Sequence, residues 1–161
     1  MRWRGESLRT PNFSMRSELL YLGHQAGVKK SLTAAENLRW FFGVQGLSFP
    51  GDIRSALAQV GLAGYEDTFC YQMSAGQMRR VALARLYVTQ EPVWILDEPF
   101  TAIDRFGVKH LETLLQRHVS NGGLVILTTH QPLAIDGVRL IELQPFAGAS
   151  LASDELVEGE Q

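Results

Sequence analysis

At 161 residues, with 45% hydrophobic and 20% charged side chains, the chain has the size and composition of one ordinary globular domain. Its formal net charge of −2 and pI near 6.1 supply no general attraction for nucleic acid or anionic lipid, so any polyanion must be met by a local site. A single cysteine, Cys70, excludes an internal disulfide, and beside four scattered histidines it offers no zinc-ligand spacing.

Residues 1–18 are basic and irregular, with Arg2, Arg4, Arg9 and Arg16, and lead into the short apolar stretch 19–22, read as a strand. Thr33-Ala34-Ala35-Glu36 is a capping-box pattern, in which hydroxyl and carboxylate satisfy free amides, and predicts a helix over 34–42. Gly43, Gly46, Pro50 and Gly51 punctuate the chain, and a second amphipathic helix fits 52–60, stopped by Gly61. These helices form the start of a small helical subdomain, placed at about residues 32–90. Helical periodicity returns over 74–87, and Pro92 then separates it from Val93-Trp94-Ile95-Leu96, an all-apolar run suited to a strand buried on both faces. A helix fits 108–119, and 124–127 repeats the buried-strand pattern, so strand, helix and strand make a βαβ unit. Residues 139–143 are read as one more strand, and 147–161 as an acidic, disordered tail. No apolar run nears the roughly 18 residues needed to span a bilayer, and no signal-type core follows the arginines. Membrane contact is therefore expected only through partners.

Three places carry candidate chemistry. Val93 to Leu96 ends in Asp97 and Glu98, and in an open α/β sheet ligands gather beyond the carboxyl ends of the strands. One carboxylate there can hold Mg²⁺ while its neighbour polarises an attacking water. Two adjacent carboxylates also repel each other, which a bound cation relieves. Second, Ser74-Ala75-Gly76-Gln77 opens the helix bearing Arg79, Arg80 and Arg85. Ser74 is the cap, Gly76 permits close backbone approach, and the first-turn amides offer an anion seat. Third, His130 lies just past the strand 124–128, on the same sheet edge as Asp97 and Glu98, where it can donate a hydrogen bond to a phosphate oxygen.

In this order the three elements resemble the ATP-binding-cassette family over about residues 19–143. Ser74 to Gln77 looks like the family signature, Trp94 to Glu98 like the Walker B strand with its catalytic glutamate, Ala102 to Asp104 like the D-loop, and His130 like the switch histidine. Gln25 looks like the glutamine-loop residue, with His24 the alternative. Leu22-Gly-His-Gln-Ala-Gly, Ser-Ala-Gly-Gln, Trp-Ile-Leu-Asp-Glu-Pro-Phe-Thr-Ala-Ile-Asp and Ile-Leu-Thr-Thr-His-Gln are similar to the ATPase subunits of bacterial haem exporters in cytochrome c biogenesis.

The resemblance implies an α/β fold of the P-loop NTPase type, with parallel core strands and a helical subdomain, over residues 1–146. It implies ATP as substrate and Mg as cofactor, with Asp97 and Gln25 at the metal and Glu98 and His130 catalytic. Gln25, Ser74, Ala75, Gly76, Gln77 and Asp104 would contact ATP. The implied partners are a second ATPase subunit, arranged head to tail, and integral membrane subunits at the cytoplasmic face of the bacterial inner membrane. No nucleic acid is implied. A soluble cassette ATPase of DNA repair or translation is the rival class, but neither a long coiled-coil insertion nor a second cassette is present.

GxxxxGK[ST] does not occur in the chain, so the backbone cradle and lysine that hold the β- and γ-phosphates have no counterpart in these 161 residues. The expectation is of an N-terminally truncated cassette, inactive alone or serving as a non-catalytic fragment that binds partner subunits.

Overall fold

The computed structural model describes residues 2–3, 6–7, 18–46 and 51–142. Two two-residue strands, β1 (Arg2–Trp3) and β2 (Glu6–Ser7), pair antiparallel within the stretch expected to be irregular. The main sheet has three parallel strands, β3 (Leu19–Leu22), β4 (Val93–Asp97) and β5 (Leu124–Thr128), in the order β3-β4-β5. Its register sets Leu22 beside Leu96 and Asp97 beside Thr128, so the carboxyl ends of the strands share one edge.

Among the described residues there are four α-helices. In α1 (Ala34–Gly43), the Thr33 hydroxyl accepts from the Glu36 amide and the Glu36 carboxylate from the Thr33 amide, the capping box expected from the sequence. α2 (Ile53–Gln59) is capped by Asp52, whose carboxylate accepts from the amides of Arg54 and Ser55. α3 (Ala75–Leu83) begins in a second capping box, between Ser74 and Gln77, and tightens into a 3₁₀ turn over Ala84–Tyr87 instead of continuing as one α-helix through 87. α4 (Arg105–Ser120) starts three residues before the expected 108 because Asp104 caps it, accepting from the Gly107 amide at 2.8 Å.

Two further expectations are corrected. β5 is not buried on both faces, since every second residue is exposed, Leu124 and Ile126 at 51%. An apolar run fixes a strand, but its burial depends on what packs against it. Residues 139–142 form no strand; they are exposed and make no ladder, and Leu143 lies outside the described residues. Pro50 and the tail 147–161 lie outside them too.

Two cores form. One joins Leu20, Leu22, Trp94 and Leu96 of the sheet to Leu111 and Leu115 of α4 and to Phe100. The other closes the helical region around Leu38, Leu57, Leu62 and Cys70. α3 lies between them, with Ala82 and Leu83 in the first and Val81 in the second. Within the helical core Asn37 is fully buried. Its amide nitrogen donates to the carbonyls of Lys29, Leu32 and Thr33 and to Cys70 Sγ, while its oxygen accepts from the Lys29 amide. Cys70 is thus a structural residue, and burial pushes its thiol pKa up, keeping it protonated.

Candidate functional site

β4 ends where its last residue meets β5. Asp97 and Thr128 are register partners, and the Thr128 hydroxyl donates to Asp97 Oδ1 at 2.6 Å. One carboxylate oxygen is thereby pinned. Glu98 follows with φ of 48°, a left-handed backbone uncommon outside glycine. Its amide donates to both the carbonyl (3.2 Å) and the hydroxyl (3.1 Å) of Thr128, and its carbonyl accepts from Thr101. Glu98 is therefore held by the neighbouring strand while its chain turns. His130 Nε2 lies 3.4 Å from Glu98 Oε1, with the His130 side chain almost wholly exposed. So exposed a contact adds little stability, but it brings together two residues that the sequence separates by a strand and a helix.

The start of α3 faces the same turn. A Cβ on Gly76 would sit 2.8 Å from the carbonyl oxygen of Ala102, and Ala102 itself has φ of 61°. Only glycine fits that approach. Ser74, Ala75, Gly76 and Gln77 thus open a helix against the 102–104 turn, in which Asp104 is occupied as a helix cap. The Ser74 and Gln77 side chains are engaged with each other's amides.

Gln25 and His24 form an exposed bend after β3. Arg79 of α3, only 6% exposed, reaches this bend and the end of β4 together. Its Nη1 donates to the carbonyls of Gly23 (2.7 Å) and His24 (3.3 Å), and its Nη2 to those of Asp97 (2.8 Å) and Glu98 (2.9 Å). Desolvation lowers its pKa, against the raising effect of the Asp97 and Glu98 charges. Arg85 donates to the Gly27 carbonyl and stacks over Phe41, 4.1 Å from the ring centroid. Burial lowers its pKa to about 10. Sequence reading placed both arginines on an anion-binding helix; in the structure they turn inward to carbonyls. In the sequence Thr128 is only the end of a strand and Ala102 only the first residue of the D-loop resemblance.

Two adjacent carboxylates, one pinned by Thr128, fit Mg²⁺, which binds through one or two protein carboxylates and takes its other ligands from water and phosphate. Among the described residues no group of three or more His, Cys, Asp or Glu could hold an ion by itself. The cleft between α2, α3 and α4, lined by Val60, Arg80, Tyr87, Ile103 and Asp104, measures about 210 Å³. That is below the roughly 300 Å³ at which small-molecule pockets begin, and Asp97 and Glu98 do not line it. Among the described residues no helix is long and apolar enough to cross a membrane.

Residues 1–101 match the ABC transporter family profile. The chain is 50% identical over 139 residues to the cytochrome c biogenesis ATP-binding export protein CcmA of Saccharophagus degradans, covering 81% of this chain and 62% of that protein. It is 50% identical over 145 residues to CcmA of Vibrio vulnificus, covering 89% and 71%. CcmA of Salmonella typhi is 53% identical over 143 residues, covering 88% and 68%. The chain therefore spans about two thirds of the length of these relatives, and less than that of the first. A dimeric ATP-binding cassette in a post-hydrolysis state with ADP and Pi superposes with a TM-score of 0.62 at 23% identity, covering 73% of this chain and 54% of that one. The ATP-binding subunit of an ABC transporter superposes equally well, at 22% identity and covering 73% and 50%. These two likenesses concern the fold alone.

Proposed function

This chain belongs to the ABC transporter family, and on that footing we propose that it forms the distal part of an ATP-hydrolysing subunit that drives export in cytochrome c biogenesis. The reading is carried by 50% identity over 145 residues to a relative named for that role. The subunit would work at the cytoplasmic face of the bacterial inner membrane, joined to integral membrane subunits and to a second ATPase subunit.

At the site, Glu98 would accept a hydrogen bond from the attacking water and polarise it, with the backbone held by Thr128 fixing where the carboxylate starts. His130 would donate to a γ-phosphate oxygen. Asp97, oriented by the Thr128 hydroxyl, and Gln25 would hold Mg²⁺, which when bound neutralises phosphate charge. The first-turn amides of α3, at Ala75 and Gly76, have no partner one helical turn back and would meet phosphate oxygens of nucleotide carried by the other subunit, with Ser74 and Gln77 fixing the helix start. Asp104, two residues beyond the Ala102 carbonyl that Gly76 approaches, would link the two sites. Most of the rate gain in such a site comes from positioning and electrostatic stabilisation. Residues 1–146 would act as one cassette segment, with a helical subdomain over 32–90.

The deciding experiment uses a chimaera in which a GxxxxGK[ST]-bearing cassette segment precedes Met1. Glu98→Gln should lower turnover by about 100-fold or more, the usual range for a lost general base, while ATP binding stays nearly intact. Near-normal turnover would move the catalytic role elsewhere. For the 161 residues alone we propose no tight grip on ATP, because the phosphate-holding motif is not among them. Excess Mg-ATP should leave the melting temperature unchanged, and a clear rise would overturn that part.

A further inference from the structure

Arg79 is a buried cation whose four acceptors are all main-chain carbonyls, two from the bend after β3 and two from the end of β4. A buried guanidinium costs several kcal/mol in desolvation unless its donors are filled, and its Nε has no partner at all. A residue that only filled space between α3 and the sheet would do so more cheaply as methionine or leucine. What the guanidinium adds is a planar fork that can hold two strand ends at once. One prong meets residues 55 and 56 positions away in sequence, the other residues 18 and 19 positions away.

The strained backbone of Glu98 points the same way. A left-handed φ at a non-glycine persists only where the surroundings over-determine it. At Glu98 the amide is fixed by Thr128 and the carbonyl by Arg79 and Thr101. Arg85 supplies the contrast within the same helix-turn segment, because it holds Gly27, at the far side of the bend, and stacks on Phe41 of α1.

We propose that Arg79 is a positioning residue that locks the bend carrying His24 and Gln25 to the turn carrying Asp97 and Glu98, so that the two loops move as one unit. The coupling is a property of this chain. Its purpose, keeping Gln25 in register with Glu98 across the site, rests on the functional reading above.

The test measures hydrogen exchange by mass spectrometry on the 161-residue chain, under conditions where opening is rate-limiting, and compares peptides covering 23–27 and 98–102 with one covering 53–62. In the parent protein the first two should open with one shared rate. Arg79→Met should raise exchange in both by about tenfold or more, the factor equivalent to one lost charged hydrogen bond, and make their rates diverge, with 53–62 unchanged. Arg85→Met should raise exchange in 23–27 only. Arg79→Lys, whose three donors radiate from one nitrogen instead of a planar fork, should rescue one of the two loops and leave the other open. Unchanged exchange in Arg79→Met, an effect confined to one loop, or equal opening of both loops in Arg85→Met would overturn the proposal. Should Arg79→Met lose protection at 53–62 as well, Arg79→Lys decides, since full protection of both loops refutes the lock and loss in either supports it. Nucleotide enters none of these measurements. Retained turnover in Glu98→Gln would therefore remove the catalytic assignment and leave the lock untouched, and the converse holds.

Discussion

The helical region and the sheet bury their apolar surface in different ways. Leu38, Leu57, Leu62 and Cys70 are each fully enclosed, and even the polar Asn37 has its side-chain amide engaged in five contacts. The sheet packs one face on α3 and α4 through Leu20, Leu22, Trp94 and Leu96, while Tyr21, Leu124 and Ile126 on its other face are each more than half exposed. The closed core stabilises through packing, where a lost methyl group is felt. The half-open sheet holds its alignment chiefly through the β3-β4-β5 ladder, where many side chains can change at little cost.

The sharpest way to break this contrast is Leu38→Ala. Leu38 is fully enclosed, so the lost transfer energy and the cavity left behind should cost about 3 kcal/mol, measured by urea unfolding. A loss well under about 1 kcal/mol would mean that the helical core is looser than its burial implies.

Thr33→Ala comes next. Both halves of the capping box at α1 are made, and removing the hydroxyl should cost about 1 kcal/mol by the same measurement. Ile126→Thr, on the open sheet face, keeps the β-branch that suits a strand and should change stability by less than about 0.5 kcal/mol. A loss as large as that of Leu38→Ala would show that this face is buried in solution.

The smallest effect belongs to pH. His118 stacks on Trp94 at 3.7 Å between ring centroids, with Nε2 3.1 Å from the Pro92 carbonyl. Burial lowers its pKa below the ordinary 6.5, the contact with Pro92 opposing it. A histidine with a depressed folded pKa favours the folded state fully above its unfolded pKa. That contribution falls away as pH drops below about 6.5 toward the folded value. His118→Gln should flatten the decline in melting temperature across that window, and an unchanged slope would remove His118 as its source.

Local chemistry made the helix starts legible. Thr33 and Ser74 each precede a helix and cap it as expected, while Asp52, expected as the first residue of its helix, is the cap instead. The apolar run before Asp97 likewise marked β4 and set Asp97 and Glu98 at its carboxyl end. What sequence could not supply were decisions made by distant partners. Arg79 looks like any basic residue on a helix until carbonyls more than fifty positions away turn it inward. The exposed face of β5 and the absence of a ladder at 139–142 have the same origin, since composition fixes what a segment can do and neighbours fix what it does. Asp104 was recognised within a loop motif, and its additional use as the cap of α4 moved that helix start by three residues.

The approach of Gly76 to Ala102 has a consequence for inherited variation. A Cβ there would lie 2.8 Å from a carbonyl oxygen, a main-chain atom that cannot swing aside as a flexible side chain can. In a saturation screen Gly76 should therefore behave as an all-or-nothing position, rejecting alanine almost as firmly as tryptophan. Gly43, whose Cβ would meet nothing within 4 Å, should accept small and large residues alike. A missense change at codon 76 would thus force the main chain at Ala102 to shift whatever side chain it introduced, while a missense change at codon 43 meets no such obstacle.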